Sequence, residues 1–461
     1  MDTVSTLLGV FASWAPVLTE PTFANLAVLL RGAVLASGPR TVTGCLAAAW
    51  PWVRKHWSVY ENVARRARLP MLVMARGLFL LVLALLPGNG VIELVVDETL
   101  VRRYGPWVVG VGMHRDAVRS SQRRVEVSPG HKWVTLGVVM RLAFLRCPVA
   151  FPLLCVAYCT RKHARRSHAK RLYRKHRTVC ELALLMVRWV VRWAPGRQFR
   201  LLGDGTYGTH ELANALCPSS RYPQLRRASL VSRFPLDGAT YAAPSPRSGP
   251  GRPAVKGAKL PSPRQVAADP ATAWRRVWVA WYGGTQREVL LCSGTGLWYR
   301  PGCGVTPVRW VLVRQLQGKR GDEAFFTTGL AMAPEAIVEA FVRRWSLETA
   351  FEETRAHLGL ETLRNRTANA VRRSVPLLLA LYSLIVVWFA RHVQVPGAWV
   401  RSWPWYRKQH VTFSDMLAAA RDDILAERIS WHPVAGTAES EIGTSATGEP
   451  TVTDFALRLP A

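Results

Sequence analysis

The order of apolar segments between residues 93 and 204 limits the fold more than any other feature of the chain. Three segments have the apolar and β-branched content of strands: Glu93–Arg102, Val134–Leu142 and Pro152–Thr160. A helix is predicted over about Lys170–Trp193, and a further strand over Phe199–Asp204. Three strands, a helix and another strand indicate an α/β domain built on a mixed sheet.

Two acidic residues belong to these strands. The order of elements is that of the ribonuclease-H-like fold, in which the first and fourth strands lie side by side. Asp97 follows an apolar run in the first strand and Asp204 ends the fourth, so this fold would make them neighbours. A third acid, Glu348, lies in a predicted helix, Pro334–His357. Two carboxylates on strands and one on a helix suit a site that holds two divalent cations for phosphodiester chemistry.

An all-helical N-terminal domain is predicted to precede the catalytic domain, over residues 1–90. Thr41 is expected to cap one helix, and Ser58 with Glu61 matches a capping box at the start of another, Val59–Leu72. A helix–turn–helix-like module that binds DNA ends through Arg65 and Arg66 and an ordinary helical bundle are both compatible with this pattern.

The catalytic domain is predicted over residues 91–395, with a β-rich insertion at about 215–333. The insertion has strand-like segments at Trp274–Tyr282, Glu288–Cys292 and Val308–Arg314. Ala242–Pro270 is rich in Pro, Gly, Ser and basic residues and predicts a mobile loop. A C-terminal helical segment is expected over 396–432, and a disordered tail over 433–461.

The chain of 461 residues carries 61 basic and 30 acidic side chains, a formal net charge of +31. Such an excess favours a polyanionic partner, although a GC-rich genome would also enrich arginine. The basic run that contains Arg165 and Arg166 either follows DNA phosphates or forms a solvated face.

The protein is expected to be cytoplasmic and associated with the nucleoid, because the N-terminus lacks the basic start of a signal peptide. Leu78–Leu86 and Pro376–Ala390 are shorter than the roughly 20 apolar residues that span a bilayer, and they predict buried helices. Cys155, Cys159, His163 and His168 only loosely resemble a zinc pattern, because the cysteines lie on a predicted strand.

One face of the predicted helix around Glu348 combines acidic and basic side chains. Phe341, Arg344, Glu348 and Arg355 fall within roughly 60° of arc on an ideal helix. This face offers a carboxylate for a metal and two guanidinium groups for a phosphate. Glu352 shares the face, so geometry does not choose between it and Glu348, and an exposed helix with Arg/Glu pairs would look similar.

The spacing Phe341-x2-Arg344-x3-Glu348-x6-Arg355 resembles the Tyr-x2-Arg-x3-Glu-x6-Lys signature of one group of bacterial insertion-sequence transposases. These are DDE enzymes with a ribonuclease-H-like core and a β-rich insertion before the Glu. Two positions depart from the signature: Phe341 replaces the Tyr, and Arg355 replaces the Lys, which keeps the charge but changes its geometry. The resemblance implies that Arg344 and Arg355 grip DNA phosphates, and it places Phe341 among the DNA-binding residues, without the hydroxyl contact that a Tyr would make.

By the same resemblance, Asp97, Asp204 and Glu348 would be catalytic and hold two Mg²⁺ ions, for which Mn²⁺ can substitute. In this group a Trp of the insertion stacks on a flipped base during hairpin formation, and Trp310 is the candidate here. A core position is an equally good explanation of Trp310 in a chain with 19 tryptophans.

The resemblance also implies a function. The enzyme would bind the terminal inverted repeats of its own element, cut them and join them to target DNA by cut-and-paste, as a homodimer that holds two ends together. Two alternatives remain: a stand-alone ribonuclease-H-like nuclease, and an inactive transposase-derived DNA-binding regulator.

Overall fold

In the computed structural model, the described residues are 6–121, 123–164, 176–245, 254–316 and 321–430. The helices are α1 (Thr6–Phe11), α2 (Glu20–Leu35), α3 (Val42–Ala48), α4 (Trp57–Arg65), α5 (Met71–Leu83), α6 (Arg161–Ala164), α7 (Val179–Trp193), α8 (His210–Ala215), α9 (Pro263–Ala268), α10 (Pro334–Arg343), α11 (Ser346–Leu358), α12 (Ala368–His392) and α13 (Phe413–Ser430). The strands are β1 (Ile92–Arg102), β2 (Gly112–Arg115), β3 (Val127–Met140), β4 (Val149–Tyr158), β5 (Phe199–Leu202), β6 (Ala228–Arg233), β7 (Thr240–Tyr241), β8 (Arg275–Ala280), β9 (Gln286–Arg300), β10 (Gly304–Gln315) and β11 (Glu323–Thr327).

The strands form one large mixed sheet, so the predicted α/β class is confirmed. Its order is β2-β3-β1-β5-β6-β11-β10-β9-β7, with β4 also paired to β3 and β8 to β9. β1 is antiparallel to β3 and parallel to β5, with Leu94 opposite Leu201. The first and fourth predicted strands are therefore neighbours, and Asp97 and Asp204 lie on adjacent strand paths.

The segment before β1 is helical, as predicted, but two local details differ. Thr41 does cap α3, accepting from Gly44 N at 3.0 Å. The predicted capping box at Ser58 is wrong: α4 begins at Trp57, two residues earlier than predicted, and the ring of His56 accepts from Ser58 N. The predicted helix Val59–Leu72 is also divided, because Pro70 lacks the amide hydrogen that would continue it and α5 starts after it.

The N-terminal helices share most of their buried side chains with the core of the catalytic region, and only a small separate cluster forms among them, from Val28, Leu46, Ala49 and Tyr60. Buried side chains of α1, α2 and α5 belong to the same hydrophobic cluster as those of β1, β3 and α12. The helix α12 packs against β4, α1, α4 and α5. Whether residues 1–90 form a DNA-end-binding domain stays a prediction.

The helix α12 is longer than the apolar run that predicted it. Its 25 residues are long and apolar enough to cross a membrane by length and composition, which corrects the expectation that this segment is too short. However, 72% of its most apolar window is buried inside the protein, as expected for a core helix. Its buried residues include Leu381, Ile385 and Phe389.

The predicted insertion is β-rich, and it also extends the central sheet. The three predicted strands correspond to β8, β9 and β10, of which the last two are longer than expected. Sequence patterns missed β6, which runs parallel to β5, and β11, which pairs with both β6 and β10. In the predicted mobile loop Ala242–Pro270, residues 246–253 lie outside the described residues, while α9 is a helix with a capping box between Ser262 and Gln265.

Candidate active site

Asp97, Asp204 and Glu348 line the same cavity, which has a volume of about 330 Å³. Asp97 lies in the middle of β1, opposite Thr135 of β3. Asp204 follows the end of β5, and Glu348 lies in the first turn of α11. The parallel pairing of β1 with β5 brings the two aspartates to one side of the sheet, where α11 adds the glutamate.

A tight turn holds Asp204. Its Oδ1 accepts from Thr206 N at 2.9 Å, and its carbonyl oxygen accepts from Ser232 Oγ at 2.6 Å. The turn requires glycine before Asp204, because a Cβ on Gly203 would lie 2.7 Å from Tyr207 Cβ. The position of this carboxylate is therefore fixed by the backbone on both sides of it.

Arg344 lies between two of the three acids. Its Nη1 donates to Asp97 Oδ2 at 2.5 Å and to Glu348 Oε1 at 2.8 Å. The side chain is 9% exposed, so these are largely desolvated ion pairs. One guanidinium nitrogen thus occupies the position where the two carboxylates converge.

Burial, together with the negative charges of Glu348 and Asp204, raises the pKa of Asp97 to about 7, although the positive charge of Arg344 opposes the shift. The backbone N–H of Glu98 also donates to Asp97 Oδ1, at 2.8 Å. A carboxyl group whose pKa is raised in this way marks a place where several negative charges lie close together, away from water.

The helix that was predicted over Pro334–His357 is two helices. Between α10 and α11, Arg344 N and Trp345 N bond to carbonyls three residues back, Phe341 O at 3.2 Å and Val342 O at 3.1 Å. Despite this tightened turn, Arg344 still contacts Glu348 at 2.8 Å and lies 5.6 Å from the ring centroid of Phe341.

Two aromatic side chains with predicted DNA contacts are buried instead. Phe341 is 3% exposed and packs on Phe325 with ring centroids 4.4 Å apart. Trp310 is 6% exposed and belongs to the main core cluster, as the core explanation required. The DNA contacts of both residues stay predictions; in this structure Phe341 packs under the guanidinium of Arg344, which lies 5.6 Å from its ring centroid.

A family model described as DDE superfamily endonuclease matches residues 15–288, more than half of the chain. The protein belongs to this family. The matched region contains Asp97 and Asp204, whereas Glu348 lies beyond it. A search of curated proteins finds no match. A piggyBac transposase synaptic complex with hairpin DNA, solved by cryo-EM, is similar with a TM-score of 0.42 and 10% identity, over 95% of this chain and 84% of that chain.

In the endonuclease, Arg355 belongs to a polar network at the cavity whose other members sequence patterns missed. Arg355 donates to Thr99 Oγ1 and lies 3.4 Å from Glu361 Oε1. Glu361 also accepts from Arg102, which in turn forms a bidentate pair with Asp116 at 2.7 and 2.9 Å. No spacing rule could have found this network, because its members come from β1, the β2–β3 region, α11 and the segment after α11.

Of the cationic side chains predicted to bind DNA, Arg65 is half-exposed and lies 3.2 Å from Glu61. Arg66 is exposed at the end of α4. Arg165 and Arg166 lie outside the described residues, as does His168 of the loose zinc pattern. The Sγ of Cys155 accepts a hydrogen bond from Thr135 Oγ1 at 3.3 Å.

The acids of the endonuclease fit a hard divalent cation by chemistry, because carboxylate oxygens are the ligands that Mg²⁺ prefers. Within the described part of the chain, however, no three His, Cys, Asp or Glu side chains are grouped closely enough to hold a metal ion. Arg344 accounts for this, since its guanidinium separates Asp97 from Glu348. Metal binding by all three acids therefore requires Arg344 to move out of the position between them.

Proposed function

We propose that this DDE superfamily endonuclease is a transposase that binds the ends of its own insertion sequence and catalyses metal-dependent DNA cleavage and strand transfer. The observation that carries the proposal is the position of Asp97, Asp204 and Glu348 around one cavity. Family membership supplies the endonuclease activity. The signature from Phe341 to Arg355 supports the narrower assignment to insertion-sequence transposases of bacteria.

The catalytic core is proposed to be ribonuclease-H-like. The order β4-β3-β1-β5, with β1 antiparallel to β3 and parallel to β5, supports this assignment. In such a sheet the acids at the centre come from strands that are distant in sequence but paired in space.

Asp97, Asp204 and Glu348 would hold Mg²⁺, in two ions, with Mn²⁺ as a substitute. Bound there, the ions supply an activated oxygen nucleophile and stabilise the leaving oxygen of an in-line displacement. The residues of the chain orient the DNA. Arg344, once released from the acids, is placed to donate to a phosphate beside the cleaved bond, and Arg355 stays anchored by Thr99 and Glu361.

DNA is the proposed partner, as terminal inverted repeats and as target, in a homodimer that holds two ends together. The net charge of +31 supports a polyanionic partner. A cytoplasmic, nucleoid-associated location follows from this activity as part of the proposal.

The test is incubation of the purified protein with DNA carrying the ends of its element, with Mg²⁺ and with EDTA. We expect Mg²⁺-dependent cleavage and, when target DNA is added, strand-transfer products. Cleavage without joined products would indicate a stand-alone nuclease, and binding without cleavage an inactive regulator. The Asp204→Asn variant should bind the ends and not cut them; wild-type cleavage by this variant would refute the site assignment.

A further inference from the structure

Near the C-terminal end of the described chain, Trp403–Tyr406 form a tight turn that displays three aromatic rings. Trp403 and Tyr406 close the turn with two backbone hydrogen bonds, Trp403 N to Tyr406 O at 2.8 Å and Tyr406 N to Trp403 O at 3.0 Å. We call this segment the aromatic turn. The indole rings of Trp403 and Trp405 are stacked, with centroids 5.6 Å apart and planes inclined by 16°.

All three aromatic rings of the aromatic turn are largely exposed to solvent. Trp403 is 55% exposed, Trp405 80% and Tyr406 60%. The two aromatic side chains predicted to contact DNA, Trp310 and Phe341, are by contrast buried. The aromatic turn is therefore a surface where a planar ligand can stack without any rearrangement of the core.

Cationic side chains lie beside the rings. Trp403 and Tyr406 line a cavity of about 510 Å³ together with Arg401, Lys408 and Arg421. Lys408 is paired with Asp415. Burial lowers the pKa of Arg421, and the positive charge of Arg401 lowers it further. Two guanidinium groups that repel each other at the edge of an aromatic surface form a site that an anion stabilises.

We propose that the aromatic turn binds unpaired DNA, with a base stacked on Trp405 or Trp403 and its phosphate facing Arg401 and Arg421. Stacking on aromatic rings beside a positive groove is the common mode of single-stranded DNA binding, and it tolerates any base. The inference rests on the proposed function, because a transposase separates the strands of the ends that it processes. It adds a binding site that lies outside the cavity of Asp97, Asp204 and Glu348.

Charge favours DNA over a second copy of the chain as the occupant. A protein partner for Arg401 and Arg421 would have to present acidic residues, whereas this chain has 30 acidic against 61 basic side chains. Single-stranded DNA supplies both a planar base and a negative phosphate in each nucleotide.

The test measures binding of the full chain to a labelled short oligothymidylate by fluorescence anisotropy, in EDTA so that no cleavage occurs. We expect binding with quenching of tryptophan emission. The affinity should fall about 5- to 100-fold when Trp403 and Trp405 are both replaced by Ala, the range expected for loss of base stacking. Trp405→Tyr, which keeps an aromatic ring, should retain most of the affinity.

Trp278→Ala is the matched control. Trp278 is 65% exposed, but its neighbours Arg275 and Arg276 form ion pairs with Glu335 and Glu288. Its replacement should leave the affinity unchanged. Equal affinities of the wild type and the double Ala variant would overturn the proposal, as would a change only in oligomeric state, measured by light scattering. The Asp204→Asn variant should bind the oligonucleotide normally, so failure of this site and failure of the cleavage assignment give different results.

Discussion

Among single residues, Arg344 has the largest effect on the acidic cluster, because it occupies the space between two of the three carboxylates. It bonds to Asp97 and Glu348 with the same nitrogen, and its ring neighbour Phe341 fixes it from the side of the core. A divalent cation and this guanidinium compete for the same oxygens. If the proposed function is correct, DNA that draws Arg344 to a phosphate would favour metal binding, and DNA binding and metal binding would then be coupled.

Replacement of Arg344 by Gln tests this competition. Without metal, the variant should lose about 3 kcal/mol of unfolding free energy, because the carboxylates of Asp97 and Glu348, which are 13% and 30% exposed, lose their counter-charge. Added Mn²⁺ should raise its melting temperature by more than that of the wild type, because the ion no longer displaces a guanidinium. Thermal melts with Mn²⁺ and with EDTA measure both effects.

Arg343→Gln is the control for this experiment. Arg343 is next in sequence and pairs with Glu93 at 2.7 Å, away from the cavity. This variant should lose stability as well, but its response to Mn²⁺ should equal that of the wild type. An identical Mn²⁺ response in the two variants would contradict a competing role for Arg344.

The raised pKa of Asp97 predicts a pH dependence of stability in EDTA. Its pKa in the folded protein, about 7, exceeds the ordinary value of 3.8. The protonated carboxyl therefore stabilises the fold fully below about pH 4, and this contribution is lost as the pH rises towards 7. Urea unfolding across this range should show the wild type losing stability relative to Asp97→Asn.

For Asp116→Asn we expect the opposite pH dependence of stability. The hydrogen bond from Arg102 lowers the pKa of Asp116 to about 2, so its contribution is present above the ordinary pKa and lost in acid. This variant should be less stable than the wild type at neutral pH, and the difference should shrink as the pH falls.

For Asp97→Asn, a constant difference in stability from the wild type over pH 4 to 7 would show that the pKa of the Asp97 carboxyl is not raised.

At the scale of elements, the end of α11 positions the glutamate helix. Gly359 ends it in the left-handed region, with φ of 64° and ψ of 40°. A Cβ there would lie 2.6 Å from Thr362 Oγ1 and 3.0 Å from Arg40 Cδ. We expect Gly359→Ala to lower the unfolding free energy by at least about 1–2 kcal/mol, the cost of this conformation for an L-residue.

Gly397→Ala is the matched control, because a Cβ at Gly397 would meet no atom within 4 Å. Its unfolding free energy in urea should be close to that of the wild type. Equal stabilities of the two Ala variants would mean that the strained end of α11 is not where the structure places it.

The apolar strands β1, β3 and β4 could be predicted from the sequence, because buried strands have continuous apolar runs. β6 and β11 could not, since Ala228–Arg233 has neither a continuous apolar run nor a regular polar/apolar alternation, and Glu323–Thr327 is only five residues long. The break at Arg344 was also hidden, because its backbone keeps helical angles, φ of −50° and ψ of −36°, while the hydrogen bonds shift. The periodicity of apolar residues shows which side chains share a helix face, but it does not show whether each backbone N–H bonds three or four residues back.

In the candidate site, too, some features could be predicted from the sequence and others could not. The positions of Asp97, Asp204 and Glu348 could be predicted because each belongs to a recognisable element. The bond of Arg344 to two of them could not, because it depends on the distance between β1 and α11 rather than on spacing along either. Burial of Trp310 and Phe341 likewise depends on neighbours in the sheet that are remote in sequence.

At the scale of the whole molecule, the charge of +31 sets how the protein associates with DNA. Neutralisation of phosphates releases counterions, so affinity should fall steeply with salt. If the protein contacts about 6–10 phosphates, its affinity for duplex DNA should fall by about 10³–10⁵ between 50 and 200 mM salt. Anisotropy titrations at several salt concentrations measure the slope, and an affinity independent of salt would exclude phosphate contacts as the main source of binding.

The most direct test of the central claim is a crystal structure of the protein with Mn²⁺ and end-sequence DNA, in which anomalous scattering locates the ions. We expect Mn²⁺ coordinated by Asp97, Asp204 and Glu348, with Arg344 moved to a DNA phosphate. Mn²⁺ bound elsewhere, or Arg344 still bridging Asp97 and Glu348 with DNA in place, would contradict it.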